Sequence, residues 1–145
     1  MTIDSNAPVI VSEKILINAS LEDIWRIHTA IDQWPLWQHD IIAAQIDGSV
    51  AVGETFHWKT FGLSISSTIK EMEPQRRIVW GGSAQGIDAI HVWTMMSSPN
   101  GVVVQTEESW DGEPVRVKVE ESRKSLEGSL QNWLRDLKRT AESAA

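Results

Sequence analysis

Between Ile41 and Asp111 the sequence alternates extended segments with turn signals so short that only antiparallel pairing can join them. The candidate strands are Ile41 to Asp47, Glu54 to Thr60, Leu63 to Glu73, Arg76 to Gly82, Ile87 to Ser97 and Val102 to Asp111. Asp47-Gly48, Phe61-Gly62, Glu73-Pro74, Gly81-Gly82 and Pro99-Asn100-Gly101 punctuate them, the glycine pair reading as a strand-end turn. A parallel crossover needs a dozen residues or more, so these strands form an antiparallel meander.

The flanks of the meander follow other periods. Val9, Val11, Ile15 and Ile17 alternate with polar residues, which predicts a first strand ending near Asn18. Ser20-Leu21-Glu22-Asp23 offers a hydroxyl and a carboxylate for the free amides of a helix start, and Ile24, Trp25, Ile27, His28 and Ile31 follow at helical spacing. Asp32 is placed to cap a second brief turn, with Trp34 to His39 forming a short helix or bend around Pro35. At the other end Leu126, Leu130, Trp133, Leu134, Leu137 and Ala141 form the apolar stripe of a long amphipathic helix. Its start is open, because Val115, Val117 and Val119 alternate like a strand, and Gly128 costs it about 1 kcal/mol relative to alanine.

A chain of 145 residues is the size of one domain with its own core. The expected division is a flexible N-terminus over residues 1–8 and a single domain over 9–145. Without cysteine there is no disulfide, no thiolate nucleophile and no sulfur-ligated zinc, which suits a reducing compartment. The polar start from Met1 to Pro8, and the lack of any run of about 18 apolar residues, predict a soluble, cytoplasmic protein with no membrane insertion. A formal charge of -7 argues against nucleic acid as partner. The one basic cluster, Arg135, Lys138 and Arg139, is interrupted by Asp136 and reads as a solvated helix face.

Aromatic mass is concentrated in indoles: eight tryptophans against two phenylalanines and no tyrosine. Each indole combines a large apolar face with one N–H donor, so it suits a cavity for mixed apolar and polar ligands as well as it suits a plain core. Trp34-Pro35-Leu36-Trp37, directly after the short helix, reads as a hydrophobic wall.

Several segments, in this order, carry a resemblance over nearly the whole chain. They are Ala19-Ser20-Leu21-Glu22-Asp23-Ile24-Trp25, Trp34-Pro35-Leu36-Trp37, Gly53-Glu54-Thr55-Phe56-His57-Trp58, and Glu73-Pro74 with Ile78-Val79-Trp80. His91-Val92-Trp93, Glu107-Glu108-Ser109-Trp110-Asp111-Gly112 and Trp133-Leu134-Arg135-Asp136-Leu137-Lys138 complete the set. The chain resembles the polyketide cyclase/dehydrase branch of the SRPBCC superfamily, with its START-like helix-grip fold. The resemblance implies an α+β fold: a seven-stranded antiparallel sheet wrapped around the C-terminal helix, two short helices after the first strand, and a cavity between them. Members of the superfamily bind lipids, polyketides, sterols, plant hormones or quinones in that cavity, and some catalyse cyclisation. The resemblance locates the site and leaves its chemistry open.

Strand parity nominates residues for that cavity. Phe56 and Trp58 share one face and His57 takes the other, exposed one; Ile78 goes with Trp80, and Ala89 with His91 and Trp93. With the apolar side toward the helix, Phe56, Trp58, Trp80 and Trp93 face inward together with His91. By the resemblance Trp34 and Trp37 sit at the mouth or wall, with His39 flanking; as plain packing they plug the helix against the sheet. His91 reads either as a satisfied structural histidine or as a group that meets ligand and moves protons. The turn at Pro99-Asn100-Gly101 brings a carboxylate opposite or diagonal to it, Glu107 or, after a one-residue slip, Glu108. Such a pair in a low-dielectric pocket would orient the imidazole for acid or base work. Ser109 shares the face of Glu107 and is a candidate hydrogen-bond donor at the site. His28 reads as half-buried packing.

No metal and no nucleotide cofactor is expected. The histidines at 28, 39, 57 and 91 lack ligand spacing, and there is neither a glycine-rich phosphate loop nor a Gly-x-Ser-x-Gly elbow. The absence of tyrosine removes mechanisms that need a phenolic acid. The reading is a binder of a small hydrophobic ligand, aromatic, polyketide-like or lipid-like, in a Trp-lined cavity. An enzyme of the polyketide cyclase or dehydratase type is the alternative, and a protein-interaction module the third. An edge strand at Ile41 to Asp47 would allow a homodimer.

Overall fold

The computed structural model describes residues 2–143. Seven antiparallel strands form one sheet in the order β1-β7-β6-β5-β4-β3-β2, and a long helix packs into its concave face. The strands are β1 (Val9–Ile17), β2 (Ile41–Ile46), β3 (Thr55–Thr60), β4 (Leu63–Glu73), β5 (Arg77–Ala84), β6 (Ile87–Ser98) and β7 (Gly101–Asp111). Consecutive strands from β2 to β7 are neighbours, as short connections require, and β1 closes the far edge against β7. This is the seven-stranded helix-grip architecture.

Helix α1 (Leu21–Thr29) starts where the capping pattern places it: Ser20 Oγ accepts the Asp23 amide at 3.1 Å. Ile24, Ile27 and His28 are buried on its inner face, so His28 is fully inside and not half-buried. A 3-10 helix follows over Ile31–Leu36, entered from Ala30 with no side-chain cap. Asp32 therefore sits inside the turn and does not cap it. Trp34 points into the core, and its indole N–H donates to the His28 carbonyl at 2.9 Å.

One expectation about the backbone fails and one open question is resolved, each for a physical reason. Gly81-Gly82 lies within β5, and the chain reverses later at Gln85-Gly86, whose φ values of 51 and 83° form a two-residue hairpin turn. Glycine at 82 is needed by close approach, since a Cβ there would stand 2.2 Å from the Ser66 carbonyl oxygen on β4. Val115 and Val117 are not in a strand, because β7 already has β1 and β6 on its two sides. Gly112, with φ 132°, ends the strand instead, and Pro114 opens the one-turn helix α2 (Glu113–Arg116).

Helix α3 (Val119–Ser143) buries Leu126, Leu130, Trp133, Leu134, Leu137 and Ala141. Asp136 is also buried, where its carboxylate accepts from the His39 amide at 3.1 Å and from Arg139 at 3.0 Å, and holds His39 Nδ1 at 2.5 Å. That clamp ties the chain after the 3-10 helix to α3. Arg139 adds a bond to the Trp37 carbonyl at 3.0 Å. Among the described residues no helix is long and apolar enough to cross a membrane.

Candidate functional site

The helix fills only part of the concave face. Toward the end where β5 to β7 meet the start of α3, a cavity of about 650 Å3 remains, in the size range of small-molecule sites. Its sheet wall carries Trp58, Ile65, Trp80, Ala89 and Trp110, and Gly81 and Gly82 thin that wall by presenting no side chain. Its helix wall is polar: Ser122, Ser125, Ser129 and Asn132 fall on one arc of α3, beside the apolar stripe that seals the core. Gly128 lies on the same wall, and a Cβ added to it would meet nothing within 4 Å.

His91 and Glu108 form the polar end. The two-residue turn Pro99-Asn100 opposes Ser98 with Gly101, and counting outward along both strands opposes His91 with Glu108. His91 Nδ1 lies 3.0 Å from Glu108 Oε1, His91 Nε2 lies 2.7 Å from Thr106 Oγ1, and the Trp110 indole N–H donates to Glu108 Oε2 at 2.5 Å. The imidazole is 2% exposed, with both nitrogens engaged, so the carboxyl is the member of the pair that can meet a ligand. Burial pushes the Glu108 carboxyl up to about 7, partly opposed by the Trp110 hydrogen bond. Burial, and then the nearby His28 ring, hold His91 well below its ordinary value.

Two proton arrangements satisfy this network. With Glu108 ionised, Nδ1–H donates to the carboxylate and Nε2 accepts from Thr106. With Glu108 protonated, its O–H donates to Nδ1 and Nε2–H donates to the threonine oxygen. The site is thus a carboxyl able to gain or lose a proton near neutrality inside an apolar cavity, the condition for general acid or base work.

Below the cavity lies an aromatic floor. Trp34, Phe56 and Trp93 are fully buried and do not line the cavity, while Trp37 packs on Trp133 at 5.9 Å between ring centroids. His28 sits among them, its ring centroid 4.4 Å from Trp93 and 5.7 Å from Trp80. Neither of its ring nitrogens has a hydrogen-bond partner, and burial lowers its pKa to about 3.

Of the residues chosen from sequence, His91, Trp58 and Trp80 line the cavity. Trp34, Trp37, Phe56 and Trp93 serve the floor instead, because the inner face of the sheet is deeper than the cavity and its lower half is filled by α1 and α3. Glu107 is a correction: it pairs with Val92 on the opposite face of the sheet and never meets His91. Ser109 is another, since it shares that outer face and its hydroxyl accepts the Asp4 amide at 3.0 Å. His39 is held on the surface by Asp136 and Asp40 and does not line the cavity; His57 is exposed and bonds Ser66 at 2.8 Å. Sequence reasoning missed Trp110, Trp133 and the polar arc of α3. The spacing of Ser122, Ser125, Ser129 and Asn132, three, four and three residues apart, was the available signal for the arc.

The fold is shared with solved proteins of low sequence identity. The hypothetical protein jhp0584 from Helicobacter pylori superposes with a TM-score of 0.85 at 18% identity, covering 96% of this chain and 91% of that one. A START superfamily protein from Mycobacterium smegmatis gives 0.80 at 14% identity, covering 94% and 99%. The di-domain ARO/CYC StfQ from the steffimycin biosynthetic pathway gives 0.78 at 15% identity, with 94% of this chain matched to 51% of that one. No curated protein sequence is significantly similar to this chain. Residues 8–142 match the sequence profile described as polyketide cyclase / dehydrase and lipid transport, and with nearly the whole chain spanned, the protein belongs to that family.

Proposed function

We propose that this protein binds a small hydrophobic, aromatic ligand in the cavity between the sheet and α3, with Glu108 as the polar contact at its inner end. The observation that carries the reading is the cavity itself: about 650 Å3, walled by Trp58, Trp80, Trp110 and Trp133, with one buried carboxyl and a row of serines on the facing helix. Indole faces supply apolar area, and the serines and Asn132 fix orientation. The family description, polyketide cyclase / dehydrase and lipid transport, supports a ligand of this kind.

Native mass spectrometry of protein gently purified from its own host, followed by denaturing extraction, tests it. A stoichiometric apolar molecule released on unfolding is the expected result. A clean mass, together with failure of polycyclic aromatic probes to bind, would contradict it.

A second reading rests on Glu108 alone. A carboxyl pushed up to about 7 and braced by His91 supports proton transfer to or from a bound polyketide-like chain, with the indole walls excluding water. Turnover that follows one ionisation near pH 7 and disappears in Glu108→Gln, with the fold preserved, would establish it. The ARO/CYC designation of the structural neighbour StfQ gives this reading its reaction class.

A further inference from the structure

The charge balance around Glu108 points to the chemistry of the ligand, given the cavity-binding reading. Its carboxyl side chain is 13% exposed, yet among the described residues no lysine or arginine pairs with it. Lys118 and Lys124 line the cavity only at its exposed rim and form no ion pair there. Among the described residues His91 is the one ionisable neighbour in contact, and its second nitrogen is committed to Thr106. Buried carboxylates are ordinarily paired, so the ionised form of Glu108 lacks a countercharge within the protein itself.

The surroundings supply what a cation needs. Trp110 is hydrogen-bonded to Glu108, and the Trp80 and Trp133 rings lie 5.0 and 6.3 Å from the His91 ring. Indole is the strongest aromatic partner for a cation, and Trp80, Trp110 and Trp133 line the same cavity as the Glu108 carboxyl, a combination that attracts organic ammonium groups while offering little to an anion. The overall charge of -7 favours the approach of a positively charged ligand.

We propose that the ligand carries a positively charged nitrogen, an alkylated ammonium attached to an apolar or aromatic body, seated against the Glu108 carboxylate between Trp80, Trp110 and Trp133.

The test uses two probes of one shape, benzyltrimethylammonium and its uncharged carbon isostere neopentylbenzene, titrated against the full chain at pH 8.5 by tryptophan fluorescence. The ammonium probe is expected to bind at least tenfold more tightly than the neutral one. Glu108→Gln is expected to reduce that ratio to near one, with an unchanged near-ultraviolet circular dichroism spectrum certifying the fold. Equal affinities in the wild type, or a ratio that survives Glu108→Gln, overturns the inference and leaves the cavity reading intact. If neither probe binds the wild type, this inference fails, while the polycyclic aromatic probes decide the cavity reading separately.

Discussion

Glu108 Oε1 lies 3.0 Å from His91 Nδ1 across the β6–β7 ladder, and burial moves the two groups in opposite directions, the acid up and the base down. Both shifts favour the uncharged forms, which is what a water-poor cavity demands. The acid therefore stabilises the fold when protonated. Its folded value of about 7 exceeds the ordinary 4.5, so this contribution is complete below 4.5 and is lost as pH rises through 7. Relative to Glu108→Gln, the wild type should lose up to about 1.4 kcal/mol per pH unit between those values. Urea unfolding of both proteins from pH 4.5 to 8 measures this; parallel curves would contradict it.

His28 predicts the opposite sign. Its folded value of about 3 lies below the ordinary 6.5, so its neutral form stabilises above 6.5 and that stability drains away as pH falls toward 3. His28→Phe removes a buried ring with two unpaired nitrogens. The variant should match or exceed wild-type stability at pH 7.5, and its advantage should grow by about 1.4 kcal/mol per pH unit below 6.5. Denaturation midpoints at pH 7.5, 6 and 5 decide; an advantage that stays constant with pH would refute the assignment. His28→Leu guards against a failure caused by the larger ring.

Floor and wall tryptophans should separate. Trp93→Ala empties a fully buried site and should cost about 3 to 5 kcal/mol, while any intact fraction keeps its cavity. Trp58→Ala, half-buried on the wall, should cost less stability and more affinity for an aromatic probe. Paired unfolding and binding titrations test the contrast, which fails if both variants lose the two properties in step.

The glycines offer a third contrast. Gly82→Ala drives a methyl into the Ser66 carbonyl and should cost about 3 kcal/mol or more, whereas Gly128→Ala points into open space and should gain about 1 kcal/mol from helix propensity. Thermal unfolding reads both; a stable Gly82→Ala protein would mean that β4 and β5 are less closely apposed.

The meander and the helices were legible because each depends on local signals: turn pairs, strand parity and the Ser20 cap. The His91 and Glu108 pair was half legible. Parity gave the face of His91, while the carboxylate depended on which residues the Pro99-Asn100 turn opposes, a one-residue question that parity alone leaves open. The division of tryptophans between floor and wall was not legible, since Trp58 and Phe56 have the same parity and differ only in how far α3 and the 3-10 helix reach along the sheet. The strand-like pattern at Val115 to Val119 left the helix start open for a related reason. Local alternation carries no information on whether a sheet edge is free, and here β1 had already taken it.

The most direct test is to plug the cavity from the helix side. Gly128→Phe places a ring where no atom stands within 4 Å of a Cβ, so it fills empty space and leaves the core stripe on the neighbouring arc of α3 in place. Titrating wild type and variant with a polycyclic aromatic probe should give one saturable site per chain in the wild type. The variant should bind at least tenfold more weakly with no loss of stability. Equal binding by a folded Gly128→Phe protein would contradict the account, because the probe would then be held somewhere other than between the sheet and α3.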